Sequence, residues 1–465
     1  MKNVVFMVKN GIGYGHLRRA LILAEALLDA GQVRPLIVSQ ASSLTIFRDS
    51  RVPVVNFPLL HRVPSAVAED WYTDLLDKIL DRLDPAVIIE DTYPDKRYAG
   101  LPSLADRPRL LVLRRLDRAS FDSIRTAGAF ARYDRIFITQ NATDFAREGH
   151  SEDTCTAVEH SGRFHLVGPV HRAATPAEVG RARSQYTQAA APLIVVSGGA
   201  GGDQMPDGYG DRFFHACHTV AAWLDDDGIA ARFVLVTGPY YAGRPLPEHP
   251  NVIVREYEPN LHALLAAADV AVIKPGHNVL SETLTGGAQL ILVPDVSFME
   301  GLAEHARRIV SQYGGAVARP DPDDLEPLIR RALTQSKRDN RLTQPPREAI
   351  DDIVAAVHEY TNHGPVTLAP PAILLALRSG VETAADDKTA VVADLRHPER
   401  FHRHVGAALA NQRIAHIALD TSRLESDEQA RYLELVHKWL AEQQIQLLSD
   451  TEYHRLRAQR LLEKQ

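Results

Sequence analysis

Val4-Val-Phe-Met-Val-Lys-Asn-Gly-Ile-Gly-Tyr-Gly-His-Leu-Arg-Arg19 decides the fold. Its five leading apolar residues make a buried strand. Three glycines then let the backbone turn sharply and approach a ligand closely. Residues 17–30 form a helix whose apolar face, Leu17, Ala20, Leu21, Leu23, Ala24 and Leu27, is core. A new helix end offers free N–H groups and a positive dipole, which suits an anionic or hydroxyl-rich ligand. The spacing is GxGxGH rather than the dinucleotide GxGxxG, and no ribose-binding acid follows the second strand. A nicotinamide cofactor is therefore the weaker reading.

Outward from this unit, residues 34–38, 53–57, 86–89, 110–113 and 135–138 read as strands and 71–83 as a helix. The alternation pauses over 163–176 and restarts. Strands follow at 193–196, 233–237, 251–254, 270–273 and 290–293, with helices at 212–225, 278–285, 301–311, 325–334 and 349–360. Such alternation gives a parallel sheet with helices on both faces. The fold class is α/β, with two doubly wound Rossmann-like domains, 1–165 and 166–362, hinged at Val167-Gly-Pro-Val-His-Arg172. Ligands of such sheets sit at the carboxyl ends of strands, here in the cleft between the halves. After a linker with three prolines, residues 370–465 form a small α/β segment with strands at 390–393, 415–419 and 444–448. It reads as an accessory or homo-oligomerisation unit, and the closely spaced His397, His402 and His404 within it as surface residues.

Bulk properties narrow the function. A net charge of −7, from 52 basic and 59 acidic residues, argues against general nucleic-acid binding. Cys155 and Cys217 form no CxxC pair, so a reducing compartment fits best. The N-terminus reads as a strand rather than a signal peptide, and no run of about 18 apolar residues exists. The expected location is cytoplasmic, with peripheral contact at the inner membrane face left open. The arginines at 107, 109, 114, 115, 118 and 125 read as a solvated surface.

Three constellations carry chemistry. Gly13, Gly15, His16 and Arg18 line the first loop. His16 has an imidazole able to take a proton near neutral pH, or it merely caps the helix. Asp91 closes a strand of the same half and either orients His16 or serves the turn before Pro94. In the second half, Ser197-Gly-Gly-Ala-Gly-Gly-Asp203 is a glycine loop of the kind that holds a diphosphate. Val272-Ile-Lys-Pro-Gly-His-Asn-Val-Leu-Ser-Glu282 passes from a strand into a helix N-terminus suited to phosphate, with Lys274 beside it. Glu282 lies one turn after Asn278 on the same helix face, where a carboxylate can accept two ribose hydroxyls.

GxGxGHxxRA, the hinge GPV, SGGAGG and PGHNVLSE together resemble the family 28 GT-B glycosyltransferases. The resemblance spans about residues 1–335 and is nearest to bacterial predicted glycosyltransferases carrying GLGHxRRA. It implies an inverting, metal-independent hexosyltransferase, with a nucleotide-sugar, most often a UDP-sugar, as co-substrate. No other cofactor is implied, and the acceptor would be a small-molecule, glycan or lipid-linked hydroxyl. By position, Glu282 would bind the ribose, Gly276, His277 and Asn278 the diphosphate, and Gly198 and Gly199 would lie along the phosphates. Lys274 stands where related enzymes have a phosphate-binding histidine, Tyr257 lies in the segment whose backbone reads the base, and His16 matches the acceptor base. The chain departs from the family after residue 293, where donor-sugar glutamines are missing and Glu300 is the nearest polar candidate. A nucleotide-sugar hydrolase or epimerase of GT-B shape, and a degenerate binding protein, are the competing readings.

Overall fold

The structure is a computed structural model. It describes residues 1–8, 14–41, 45–47, 50–56, 65–188, 191–199, 208–295, 302–338 and 346–362, plus three short strands beyond them.

The first sheet contains β1 (Lys2–Val8), β2 (Val33–Ser39), β3 (Val54–Asn56), β4 (Pro85–Thr92), β5 (Arg109–Leu113), β6 (Arg135–Ile138) and β7 (Phe164–Leu166). All neighbours are parallel, in the order β3-β2-β1-β4-β5-β6-β7. The second contains β8 (Leu193–Ser197), β9 (Arg232–Val236), β10 (Val252–Arg255), β11 (Val270–Ile273), β12 (Gln289–Leu292) and β13 (Ala316–Val317). It too is parallel, in the order β10-β9-β8-β11-β12-β13. The central strands are buried on both faces, which explains their unbroken Val/Ile/Leu runs.

Each sheet reverses direction of growth once, between β1 and β4 in the first and between β8 and β11 in the second. Crevices open at such switch points, outside the carboxyl ends of the strands. The first is entered by α1 (Gly15–Ala30), following β1. The second is entered by α7 (Tyr209–Asp226), following β8, and by α9 (His277–Thr285), following β11.

The remaining helices are α2 (Ser65–Leu83), α3 (Arg118–Thr126), α4 (Ala142–Arg147), α5 (Glu152–His160), α6 (Pro176–Tyr186), α8 (Leu261–Ala267), α10 (Leu302–Tyr313), α11 (Pro322–Leu333) and α12 (Pro346–Asn362). Of these, α3 to α6 and α8 fall where the sequence reading assigned none. The pause over 163–176 hides β7. The proposed hinge belongs partly to the first core, where Val167 and Val170 are buried. The helix α12 follows the second half in sequence but packs on the first sheet. Its Ala349, Ile353, Ala356 and Val357 join the core of β1 and α1, and Arg135 holds Glu359 at 2.6 Å.

The arginine run is not a solvated surface throughout. Arg109 is buried and pairs with buried Glu90, whose other oxygen accepts from Tyr133 at 2.6 Å. Arg115 holds Glu148 at 2.6 Å. A lone buried charge is costly, so these cations come with carboxylates. In the tail, β14 (Ala376–Arg378), β15 (Ala390–Asp394) and β16 (His416–Asp420) form a parallel sheet in the order β14-β16-β15. The expected strand at 444–448 and the three tail histidines lie outside the described residues. Among those described, no helix is long and apolar enough to cross a membrane.

Candidate active site

The first-half face of the site grows from α1. Tyr14 is its N-cap and provides no side-chain cap, so the first-turn N–H groups are left for other partners. His16 is half-buried, with Nδ1 3.3 Å from Asp91 Oδ1. Asp91 lies in the last turn of pleat of β4 and is buried. It is followed by Thr92, whose φ of +96° is strained for a β-branched residue. Thr92 Oγ1 donates to Asp91 Oδ1 at 3.1 Å.

The sequence reading paired Asp91 with His16 alone. The structure adds Arg19, one helical turn after His16 and almost completely buried. Its Nε and Nη2 donate to the two Asp91 oxygens at 2.8 and 2.7 Å. Burial by itself pushes the Asp91 carboxyl up, but the Arg19 guanidinium and hydrogen bonds from His16 and Arg19 hold it below the usual carboxylate range. His16 is held below the ordinary histidine value, first by burial and then by the cations Arg19 and Arg114, against the pull of Asp91.

The second-half face grows from β11 and α9. Gly276 is the N-cap of α9. His277 crosses the cleft: its Nε2–H donates to Thr139 O of the first half at 3.0 Å. Burial, then the cations around it, lowers its pKa to about 3. Asn278 Nδ2–H donates to Gly15 O at 2.5 Å. Glu282 is buried and accepts from Arg18 Nε at 3.3 Å. Burial raises its carboxyl, opposed by Arg18 and Arg172. Arg18 also reaches Pro259 O and His262 Nδ1, each at 3.4 Å. The proposed ribose acceptor is thus occupied by a first-half arginine.

Lys274 is not a free cation. Its Nζ lies 3.1 Å from the buried Asp295 carboxylate and 4.9 Å above the Tyr209 ring. Asp295 escaped the sequence reading, which looked further along the same segment to Glu300. Tyr257 donates to Ile46 O at 3.4 Å across the halves. Gly198 follows β8 so tightly that a Cβ there would meet Phe214 Cζ at 2.8 Å, and Gly199 has φ +76°. Gly13, Glu300 and residues 200–203 lie outside the described residues. No three His, Cys, Asp or Glu side chains converge as a metal site among the described residues.

The expected residues of the two halves therefore meet. Gly15 and Arg18 are bridged to Asn278 and Glu282 by direct hydrogen bonds, His277 reaches Thr139 O, and His16 and Asp91 pair within the first half. The chain is similar in fold to the calicheamicin glycosyltransferase CalG4, with a TM-score of 0.50 and 16% identity over 78% of this chain and 99% of that one. The fold is GT-B. The S. aureus protein MnaA, solved with UDP, shares this GT-B architecture at a TM-score of 0.50 and 11% identity, over 80% of this chain and 99% of that one. In sequence, the chain is 28% identical over 128 residues to the Desulforamulus reducens UDP-N-acetylglucosamine--N-acetylmuramyl-(pentapeptide) pyrophosphoryl-undecaprenol N-acetylglucosamine transferase. That match covers 25% of this GT-B chain and 34% of the transferase, so the chain spans about a third of that relative's length. No family model matches.

The buried histidines give the site a pH signature. His277 binds its proton near pH 3 when folded and near 6.5 when unfolded. Between those values unfolding takes up a proton, so stability is full above about pH 6.5 and falls as the pH drops. The slope is at most roughly 1.4 kcal/mol per pH unit for one group. His262, lowered to about 4 by burial and then by Arg18 and Arg172, acts in the same direction. Replacing His277 with glutamine keeps a donor for Thr139 but removes the titration. Thermal melts at pH 7 and pH 5 should then show a smaller loss of Tm than in the parent protein.

Proposed function

We propose that the chain is an inverting, metal-independent glycosyltransferase that moves a sugar from a UDP-sugar to an acceptor hydroxyl. The observation that carries this is the meeting of the two switch points: the helix turn that carries His16, itself held by Asp91, touches the α9 N-terminus and Glu282 through Gly15–Asn278 and Arg18–Glu282. The UDP-sugar-using relative and the UDP-bound neighbour support the donor class. The relative's acceptor, by its name, is linked to pyrophosphoryl-undecaprenol. A lipid-linked acceptor, met at the inner membrane face, is therefore the acceptor class we favour.

In this mechanism the diphosphate sits on the N–H groups of α9, beside Gly198 and Gly199. Arg18 leaves Glu282, which takes the ribose hydroxyls. The acceptor hydroxyl lies at His16 Nε2. Its oxygen attacks the anomeric carbon on the face opposite UDP, while His16 takes its proton. The glycosidic bond forms as the bond to the UDP oxygen breaks. The departing negative charge falls on the α9 N-terminus, already in place before the reaction. Asp91 holds the Nδ1–H and stabilises the imidazolium once formed.

Gly276 offers a clean test of the phosphate position. A Cβ there meets nothing within 4 Å, and the residue shows no left-handed φ. Gly276→Ala should leave the melting temperature of the free protein within error, while weakening UDP binding at least tenfold by calorimetry. Equal affinity in the two proteins would place the diphosphate elsewhere. Release of free sugar at full rate without any acceptor would instead mark a hydrolase.

A further inference from the structure

Arg19 belongs to no donor or acceptor contact described above, yet it is the most elaborately held cation in the site. Besides both Asp91 oxygens, its Nη1 donates to Thr139 Oγ1 at 3.3 Å and its Nη2 lies 3.5 Å from Val112 O. Nη2 is also 3.4 Å from His16 Nδ1. Thr139 is the residue whose carbonyl receives His277 from the other half. A guanidinium on the core side of α1 contradicts that helix's apolar pattern, and burying it needs a reason beyond packing.

The charges supply the reason. His16 Nδ1 faces one carboxylate oxygen of Asp91 on β4 and the Arg19 guanidinium on its own helix, and the imidazole also feels the charge of Arg114 on the segment after β5. With Asp91 alone, protonating His16 turns a site of charge −1 into a neutral one. With Arg19 present, it turns a neutral site into a buried cation. A neutral base with a free Nε2 lone pair is what proton abstraction requires. Bidentate pairing also fixes the carboxylate plane, so that Oδ1 stays in line with Nδ1.

We propose that Arg19 is a positioning residue whose guanidinium clamps both oxygens of Asp91, aims the carboxylate at His16 Nδ1 and balances its charge, so that His16 meets an acceptor as uncharged imidazole with its proton on Nδ1. The catalytic half of this statement rests on the transferase reading above, but the positioning half does not. Its test is therefore made without substrate.

Histidine-labelled protein is titrated by NMR, with the His16 signals identified by their loss in His16→Ala. In Arg19→Gln the midpoint of His16 should rise by about one pH unit, the size of shift that a neighbouring charge produces. The nitrogen shifts of the parent protein should show Nδ1 carrying the proton. An unchanged midpoint in a folded Arg19→Gln protein overturns the proposal, as does a parent spectrum with the proton on Nε2. Should Arg19→Gln fail to fold, Asp91→Asn replaces it: Arg19 then faces His16 unopposed and the midpoint must fall, and an unchanged one overturns the proposal. Absence of turnover with every donor, alongside the expected midpoint shifts, would sink the transferase reading and leave the Arg19 clamp standing.

Discussion

A His16→Ala protein is expected to lose sugar transfer by roughly 10²- to 10⁴-fold, the usual contribution of a positioned general base, while binding nucleotide as tightly as the parent. The structure supports both halves of that expectation. His16 contacts Asp91 and Arg19 but none of the groups assigned to the donor. Its removal leaves the bidentate Arg19–Asp91 pair intact, so the fold should survive. The loss should fall on kcat rather than on donor affinity, because the missing interaction is made in the transition state. The parent enzyme should also be flat in kcat/KM through neutral pH. Burial first, and then Arg19 and Arg114, hold His16 below its ordinary value of about 6.5, so the base protonates only in more acidic solution. Unaltered turnover in His16→Ala would remove His16 as the base.

The second large effect is expected from Glu282→Ala. Two ribose hydroxyls on one carboxylate make two hydrogen bonds to a charged group, each worth about 1.5–3 kcal/mol. The donor must first displace Arg18 from the same carboxylate, which offsets part of that gain. The net loss in affinity should be on the order of 10²-fold. At a nucleotide concentration a hundredfold above the parent Kd, ligand stabilisation would drop from about 2.7 to about 0.4 kcal/mol. The free variant also leaves Arg18 without its carboxylate, so its own melting temperature is the baseline for the comparison.

The central strands of both halves were legible because parallel strands buried on both faces read as unbroken apolar runs, whereas their order in the sheets was not. The strand at 270–273 has the limits expected from sequence, and the helix after it starts one residue early at His277. The site's backbone was legible for the same reason: loops at the ends of β1, β8 and β11 must line the switch points. Five helices were missed, four of them despite visible capping signals. Thr175 and Glu178 form a capping box around Pro176, and Asp117, Asn141 and Ser151 cap α3, α4 and α5. What sequence does not carry is which charges meet across the chain. Arg19 and Asp91 are 72 residues apart, and Arg18 and Glu282 are 264 apart. The spacing of His16 and Arg19, three residues on one helix, was the readable hint that the arginine belonged to the base. Lys274 was read as an unopposed phosphate ligand because nothing local indicated that Asp295 would return to it.

The central claim is that the cleft between the two sheets is a nucleotide-sugar site built on Glu282 and the α9 N-terminus. Thermal melts of the parent and Glu282→Ala proteins, with UDP, GDP, dTDP and their common sugars, test it most directly. A rise in melting temperature with UDP or a UDP-sugar, largely lost in Glu282→Ala, is the predicted result. No rise with any nucleotide, or a rise undiminished in Glu282→Ala, would contradict it.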